Sequence, residues 1–147
     1  MLLDEAMRDK RIDRRYVALA EGVFRLKQGS IDEPIGKDRY ISGKRRVSPS
    51  GDQAVTHYRV LEQMKKAAFV ELELETGRTH QIRVHLSHLG HPLAGDSLYG
   101  GSSRLFHRQA LHGEKLSFDH PVTQKQVIVH APLPQDFKFL LEEVSAL

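Results

Sequence analysis

From Val70 to Glu75 the chain alternates strictly, Val70, Leu72 and Leu74 against Glu71, Glu73 and Glu75. This period of two belongs to a strand with one buried face and one solvated, acidic face. Thr56, Tyr58 and Val60 alternate in the same way upstream, so the two segments are expected to pair as a hairpin across Gln63 to Ala67. After Gly77 the period changes. Thr79 stands as N-cap of a helix running to about Leu89, with Ile82, Leu86 and Leu89 as its apolar stripe and Gly90-His91-Pro92 as its stop. Tyr16 to Leu19 reads as a short apolar strand, and Leu111 to Phe118 and Val127 to His130 as two more. Pro132-Leu133-Pro134 leads into a last helix that sets Phe137, Leu140, Leu141 and Val144 on one face.

Between these elements the chain is punctuated. Gly29 to Asp38 is turn-rich, and Lys44 to Arg46 with Pro49 to Gly51 suggests a basic, exposed loop. Leu2 to Asp9 has helical composition with Leu3 and Met7 one turn apart, but no capping residue precedes it. The order of elements predicts an α+β fold, a mixed, mainly antiparallel sheet with flanking helices rather than a regular βαβ alternation.

A chain of 147 residues, 39% hydrophobic, suffices for one core. Its net charge of +3 does not announce a nucleic-acid binder, so any such footprint must be local. The absence of cysteine excludes disulfides, thiolate metal sites and a cysteine nucleophile. No apolar run has the length of a membrane span, and the acidic start MLLDEAMRDK is unlike a secretion signal, so a cytoplasmic protein is expected.

The chemistry concentrates where the helix begins. Arg78, His80 and Arg83 gather donors at a helix N-terminus, in outline a site for phosphate or carboxylate, although the same spacing also suits ordinary surface arginines. His80, His85, His88 and His91 raise a metal-dependent hydrolase as a rival. No Asp or Glu lies between Arg78 and Gly95 and no His-Glu-x-x-His occurs, so no metal ligands are assigned. There is likewise no Gly-x-Ser-x-Gly elbow for serine chemistry.

Thr76 to Gly100 reads TGRTHQIRVHLSHLGHPLAGDSLYG, and this resembles the signature of pseudouridine synthases of the RluA type, TGR-x-HQIR-x-H-L followed by GHP and GD-x-x-YG. Tyr16-Val17-Ala18-Leu19, Gly29 to Asp38, Arg108 to His112 and Ala131 to Pro134 resemble further family elements in the same order. The likeness runs from about Tyr16 to Phe137. It implies an enzyme that isomerises uridine to pseudouridine in ribosomal or transfer RNA without metal or cofactor. By motif position it implies catalytic roles for Tyr16, as the tyrosine against the flipped uracil, and for Arg83, as the basic partner of the family's aspartate. Arg78, His80, Lys44, Arg45 and Arg46 are the expected RNA-binding residues.

The chain departs from the pattern at one point, for the family's His-Arg-Leu-Asp element with its following Thr-Ser-Gly is absent. Arg11-Ile12-Asp13-Arg14 is the nearest mimic, and Asp13 lies only three residues before Tyr16. The resemblance therefore implies that residues 1–147 are the C-terminal portion of one catalytic domain, an inactive fragment lacking the catalytic aspartate. Such a fragment should expose apolar surface, with Leu2, Leu3 and Val17 to Leu19 as candidates for self-association. A non-catalytic RNA-binding module is the alternative reading.

Overall fold

The computed structural model describes residues 12–120 and 122–147. Strands β1 (Ile12–Glu21), β2 (Gln28–Asp32), β5 (Val55–Gln63), β6 (Ala67–Leu74), β7 (Leu111–Asp119) and β8 (Gln126–His130) form one sheet in the order β2-β5-β6-β1-β7-β8. Every pairing in it is antiparallel. A separate two-stranded ribbon joins β3 (Ile35–Lys37) to β4 (Arg45–Val47). The helices are α1 (Gln81–His88) and α2 (Gln135–Ser145), and a short 3-10 turn spans Ser97–Tyr99. The expected α+β class, antiparallel sheet and flanking helices are all present.

Alternation divides the sheet into two unlike faces. On one, Ala18 and Ala20 of β1, Tyr58 of β5 and Val70 and Leu72 of β6 meet Ile82 and Leu86 of α1. On the other, Leu19 and Ala67 meet Phe137, Leu140 and Val144 of α2. Beyond the reach of α2 this second face turns polar, and Arg15 donates to Glu73 at 2.8 Å while Arg59 donates to Glu71 at 3.2 Å. The alternating glutamates are thus held in cross-strand ion pairs, which is how opposite charges on neighbouring strands stabilise a sheet.

Four expectations are corrected. Gly29 to Asp38 is not simply turns, because β2 pairs with β5 from Gln28↔Arg59 to Asp32↔Val55, and β3 pairs with β4. Arg45 and Arg46 belong to half-buried β4 rather than to an exposed loop. The N-cap of α1 is His80, not Thr79, in a left-handed conformation at φ 57° with no side-chain cap bond. The segment Val17 to Leu19, expected to be exposed, is buried at 4%, 0% and 0% exposure, since β1 lies inside the sheet between β6 and β7. It offers no surface for self-association, and Leu2, Leu3 and the helix expected over Leu2 to Asp9 lie outside the described residues. Among the described residues no helix is long and apolar enough to cross a membrane.

His85 ties the sheet to the segment before β3. Its Nδ1 pairs with Thr56 Oγ1 at 2.7 Å and its Nε2 with the Glu33 carbonyl at 2.9 Å, with the ring fully buried. Burial pushes its pKa below the usual imidazole value. As pH falls below about 6.5 the unfolded chain takes up a proton that the folded ring resists, so this site loses stability on the acid side. Urea midpoints should therefore fall between about pH 7.5 and about pH 5.5, and by less in a His85→Gln variant.

Candidate active site

The turn before α1 is built by a single buried amide. Gln81 Nε2 donates to the Val55 carbonyl at 2.9 Å and to Thr56 Oγ1 at 3.0 Å. Its Oε1 accepts from the Arg78 backbone N–H at 3.0 Å and from the Thr76 hydroxyl at 2.7 Å. This fixes the Thr76-Gly77-Arg78 turn to β5 without Thr79, and accounts for the absence of a conventional cap. The left-handed backbone at His80, unusual for a residue with a Cβ, is stabilised by a 2.7 Å bond between its Nδ1 and the Tyr99 hydroxyl.

Arg83, in the first turn of α1, is clamped from two sides. Its Nε and Nη2 donate to the two carboxylate oxygens of Asp96 at 3.0 and 2.9 Å, a planar two-pronged pair. The guanidinium also lies over the Tyr99 ring, 4.9 Å from its centre. Asp96 is 2% exposed. It is placed by Gly95, whose φ of 79° and close approach to the Arg108 carbonyl leave no room for a side chain. The Asp96 carbonyl then accepts the N–H groups of Tyr99 at 3.1 Å and Gly101 at 2.7 Å, closing the 3-10 turn that carries Tyr99. The carboxylate hydrogen bond holds the Arg83 pKa above its usual value, against the opposing effect of burial. Nη1 of Arg83 has no hydrogen-bond partner among the described residues.

Tyr16 and Arg83 line the same cleft, about 450 Å³ in volume, together with Arg14, Arg78, His80, Gln81 and Gln109. The pairing of β1 with β7 shifts register between Arg15 and Tyr16, where β7 carries Glu114 as an extra residue, while β1 itself stays in unbroken register with β6. Arg78 is exposed and anchored by an Nε bond of 2.8 Å to the Gln53 carbonyl. His80 is pushed toward its neutral form first by burial and then by the charges of Arg83 and Arg45. Of the residues expected from sequence, Tyr16, Arg78, His80 and Arg83 come together here.

Lys44, Arg45 and Arg46 do not. They line an adjoining groove of about 520 Å³ with Asp38, His88 and Tyr99. Tyr99 joins the two hollows, because its hydroxyl bonds to His80 and also accepts the Arg45 backbone N–H at 3.0 Å. The histidines that raised the metal-dependent rival do not converge: His85 faces Thr56, His80 faces Tyr99, and His91 faces the Glu21 carbonyl and stacks on Phe24. Among the described residues no group of three His, Cys, Asp or Glu side chains could hold a metal ion. Sequence reasoning missed Asp96, Tyr99 and Arg14. The first two stand in the quoted Gly-Asp-x-x-Tyr-Gly motif, whose spacing was the available signal.

An antiparallel α+β fold thus brings an arginine fixed at a helix start and a strand tyrosine into one cationic cleft. The family model for RNA pseudouridylate synthase matches residues 2–88, and the chain belongs to that family. Its relatives support the RluA-type grouping. An uncharacterised RNA pseudouridine synthase of Bacillus subtilis, YhcT, is 54% identical over 141 residues, covering 95% of this chain and 47% of the relative. Ribosomal large subunit pseudouridine synthase D of Haemophilus ducreyi is 42% identical over 154 residues, covering 95% and 47%. The chain thus spans about half the length of the curated relatives it matches. Among solved structures, human RNA pseudouridylate synthase domain containing 4 superposes with a TM-score of 0.79 at 27% identity, covering 97% of this chain and 66% of that one.

Removing one partner of a buried ion pair leaves the other charge unpaired, so Asp96→Ala should cost about 3–5 kcal/mol. Adding Arg83→Met should recover part of that loss. Denaturant titration of the two single variants and the double variant checks this through the coupling between them.

Proposed function

We propose that this chain supplies the tyrosine–arginine wall of a pseudouridine synthase active site acting on uridine in ribosomal or transfer RNA. The observation that carries the reading is the meeting of Tyr16 and Arg83 in one cleft with Arg78 and His80 and, among the described residues, no acidic side chain. A uracil swung out of its strand needs a flat apolar face to stand on, which the Tyr16 ring offers, and the RNA backbone needs cations, which Arg78 and the Lys44 to Arg46 groove offer.

The isomerisation breaks the N1–C1′ glycosidic bond, turns the uracil and joins its C5 to C1′; the C5 proton is lost to solvent and N1 takes up a proton in its place. A carboxylate must act at the ribose or base. Arg83, already fixed by Asp96 and Tyr99, keeps Nη1 for holding that carboxylate ionised and oriented. Asp96 is not suited to that role itself, because it is buried and both its oxygens are engaged by Arg83. Among the described residues no carboxylate lines the cleft, and the chain has no His-Arg-Leu-Asp element. We therefore expect residues 1–147 alone to bind RNA without turnover, which is also what the reading as an RNA-binding module requires.

The test is release of tritium from RNA carrying 5-tritiated uridine. RNA binding with no detectable release supports the assignment of the aspartate to a segment other than these residues. Turnover by this chain alone would contradict that assignment.

A further inference from the structure

Arg14 stands two residues before Tyr16 on β1 and lines the same cleft, and its guanidinium has no hydrogen-bond partner among the described residues. Its neighbour Arg15, on the opposite face of the sheet, donates to Glu73 at 2.8 Å and lies 3.8 Å from Glu71. Nε is buried without a hydrogen-bond partner in both, but for Arg14 no carboxylate among the described residues is in ion-pair reach. An unpaired guanidinium lodged against protein is costly, because burial favours a charge only when it is paired. A fold that nevertheless keeps one in place, beside Arg78 and Arg83, is prepared for an anion from outside.

The position of that anion follows from the turn. The Arg14 guanidinium lies against Gly77, where an added Cβ would come within 2.5 Å of Nη1 and 2.6 Å of Nη2. Gly77 thus leaves the space that the Arg14 head occupies, between β1 and the Arg78 turn. Residues two apart on a strand share a face about 7 Å apart. A nucleotide whose base rests on Tyr16 therefore brings its own backbone, rather than its base, to Arg14. We propose that Arg14, seated by Gly77 and aided by Arg78, is the binding site for the phosphodiester next to the target uridine, an inference that rests on the RNA reading above. A planar guanidinium suits two phosphate oxygens at once.

The test is affinity for a single-stranded uridine-rich RNA, read by fluorescence anisotropy over a range of salt, for the intact chain and for Arg14→Met, Arg14→Lys and Gly77→Ala. Loss of one phosphate contact to a single strand lowers the slope of log affinity against log salt by about 0.7, which is about fivefold in affinity at 0.1 M salt. Arg14→Met should show that loss, and Arg14→Lys should restore most of the slope. Gly77→Ala keeps every charge and displaces only the head of a flexible side chain, so it should weaken binding in the same direction. If Arg14→Met does not fold, the comparison of Gly77→Ala with the intact chain decides the matter. Variants that match the intact chain in slope and affinity overturn the Arg14 assignment while leaving the RNA reading intact. An intact chain whose RNA binding shows no salt dependence contradicts the RNA reading itself.

Discussion

The two-pronged bond between Arg83 and Asp96 is the constraint on which the site depends. It links the first turn of α1 to the 3-10 turn, two elements that chain connectivity leaves free to drift apart, and it does so at a carboxylate with almost no exposure. Such a pair repays its desolvation only when geometry is good and the remaining donors and acceptors are used. Here both carboxylate oxygens are taken, Tyr99 covers the guanidinium, and the backbone of Asp96 is fixed by the turn it closes. Placing Tyr99 then places His80, and through the Arg45 N–H it places the basic ribbon. One ion pair thereby sets the wall of the cleft and the edge of the groove beside it.

The sheet distributes charge unequally between its faces. On the side away from α1, Arg15 and Arg59 are matched with Glu73 and Glu71, so those charges serve stability. On the α1 side, Arg14, Arg78 and Arg83 line one cleft in which no acidic residue takes part among the described residues. Neighbouring residues Arg14 and Arg15 therefore do opposite work, because the pleat of β1 sends them to opposite faces. A net charge of only +3 conceals this arrangement, since balance over the whole chain says nothing of balance over one hollow.

The parts legible in the sequence were those whose pattern is local. The Val70 to Glu75 alternation and the stripe of Phe137, Leu140 and Val144 gave β6 and α2 because each segment buries one face along its own length. Strands β2 to β4 were hidden because Gly29, Pro34 and Gly36 read as turns, while pairing with distant β5 makes β2 a strand; tertiary context overrode propensity. The same holds within the site. Thr79 had the chemistry of a cap, but Gln81 reaches β5 and takes over the work. Arg83 was legible as the partner of a carboxylate, yet the carboxylate it holds here is Asp96, a residue that no helical spacing would have chosen.

The central claim is that a uracil stands on Tyr16 inside this cleft, and photochemical crosslinking reads that contact most directly. With uridine-rich RNA in which uridine is replaced by 5-iodouridine, irradiation joins the base to an aromatic ring in contact with it. The arrangement of Tyr16 and Arg83 predicts that the crosslinked peptide carries the modification on Tyr16 and that Tyr16→Leu abolishes it. Crosslinks confined to the groove of Lys44, Arg45, Arg46 and Tyr99, with Tyr16 unmodified while RNA is bound, would contradict the account.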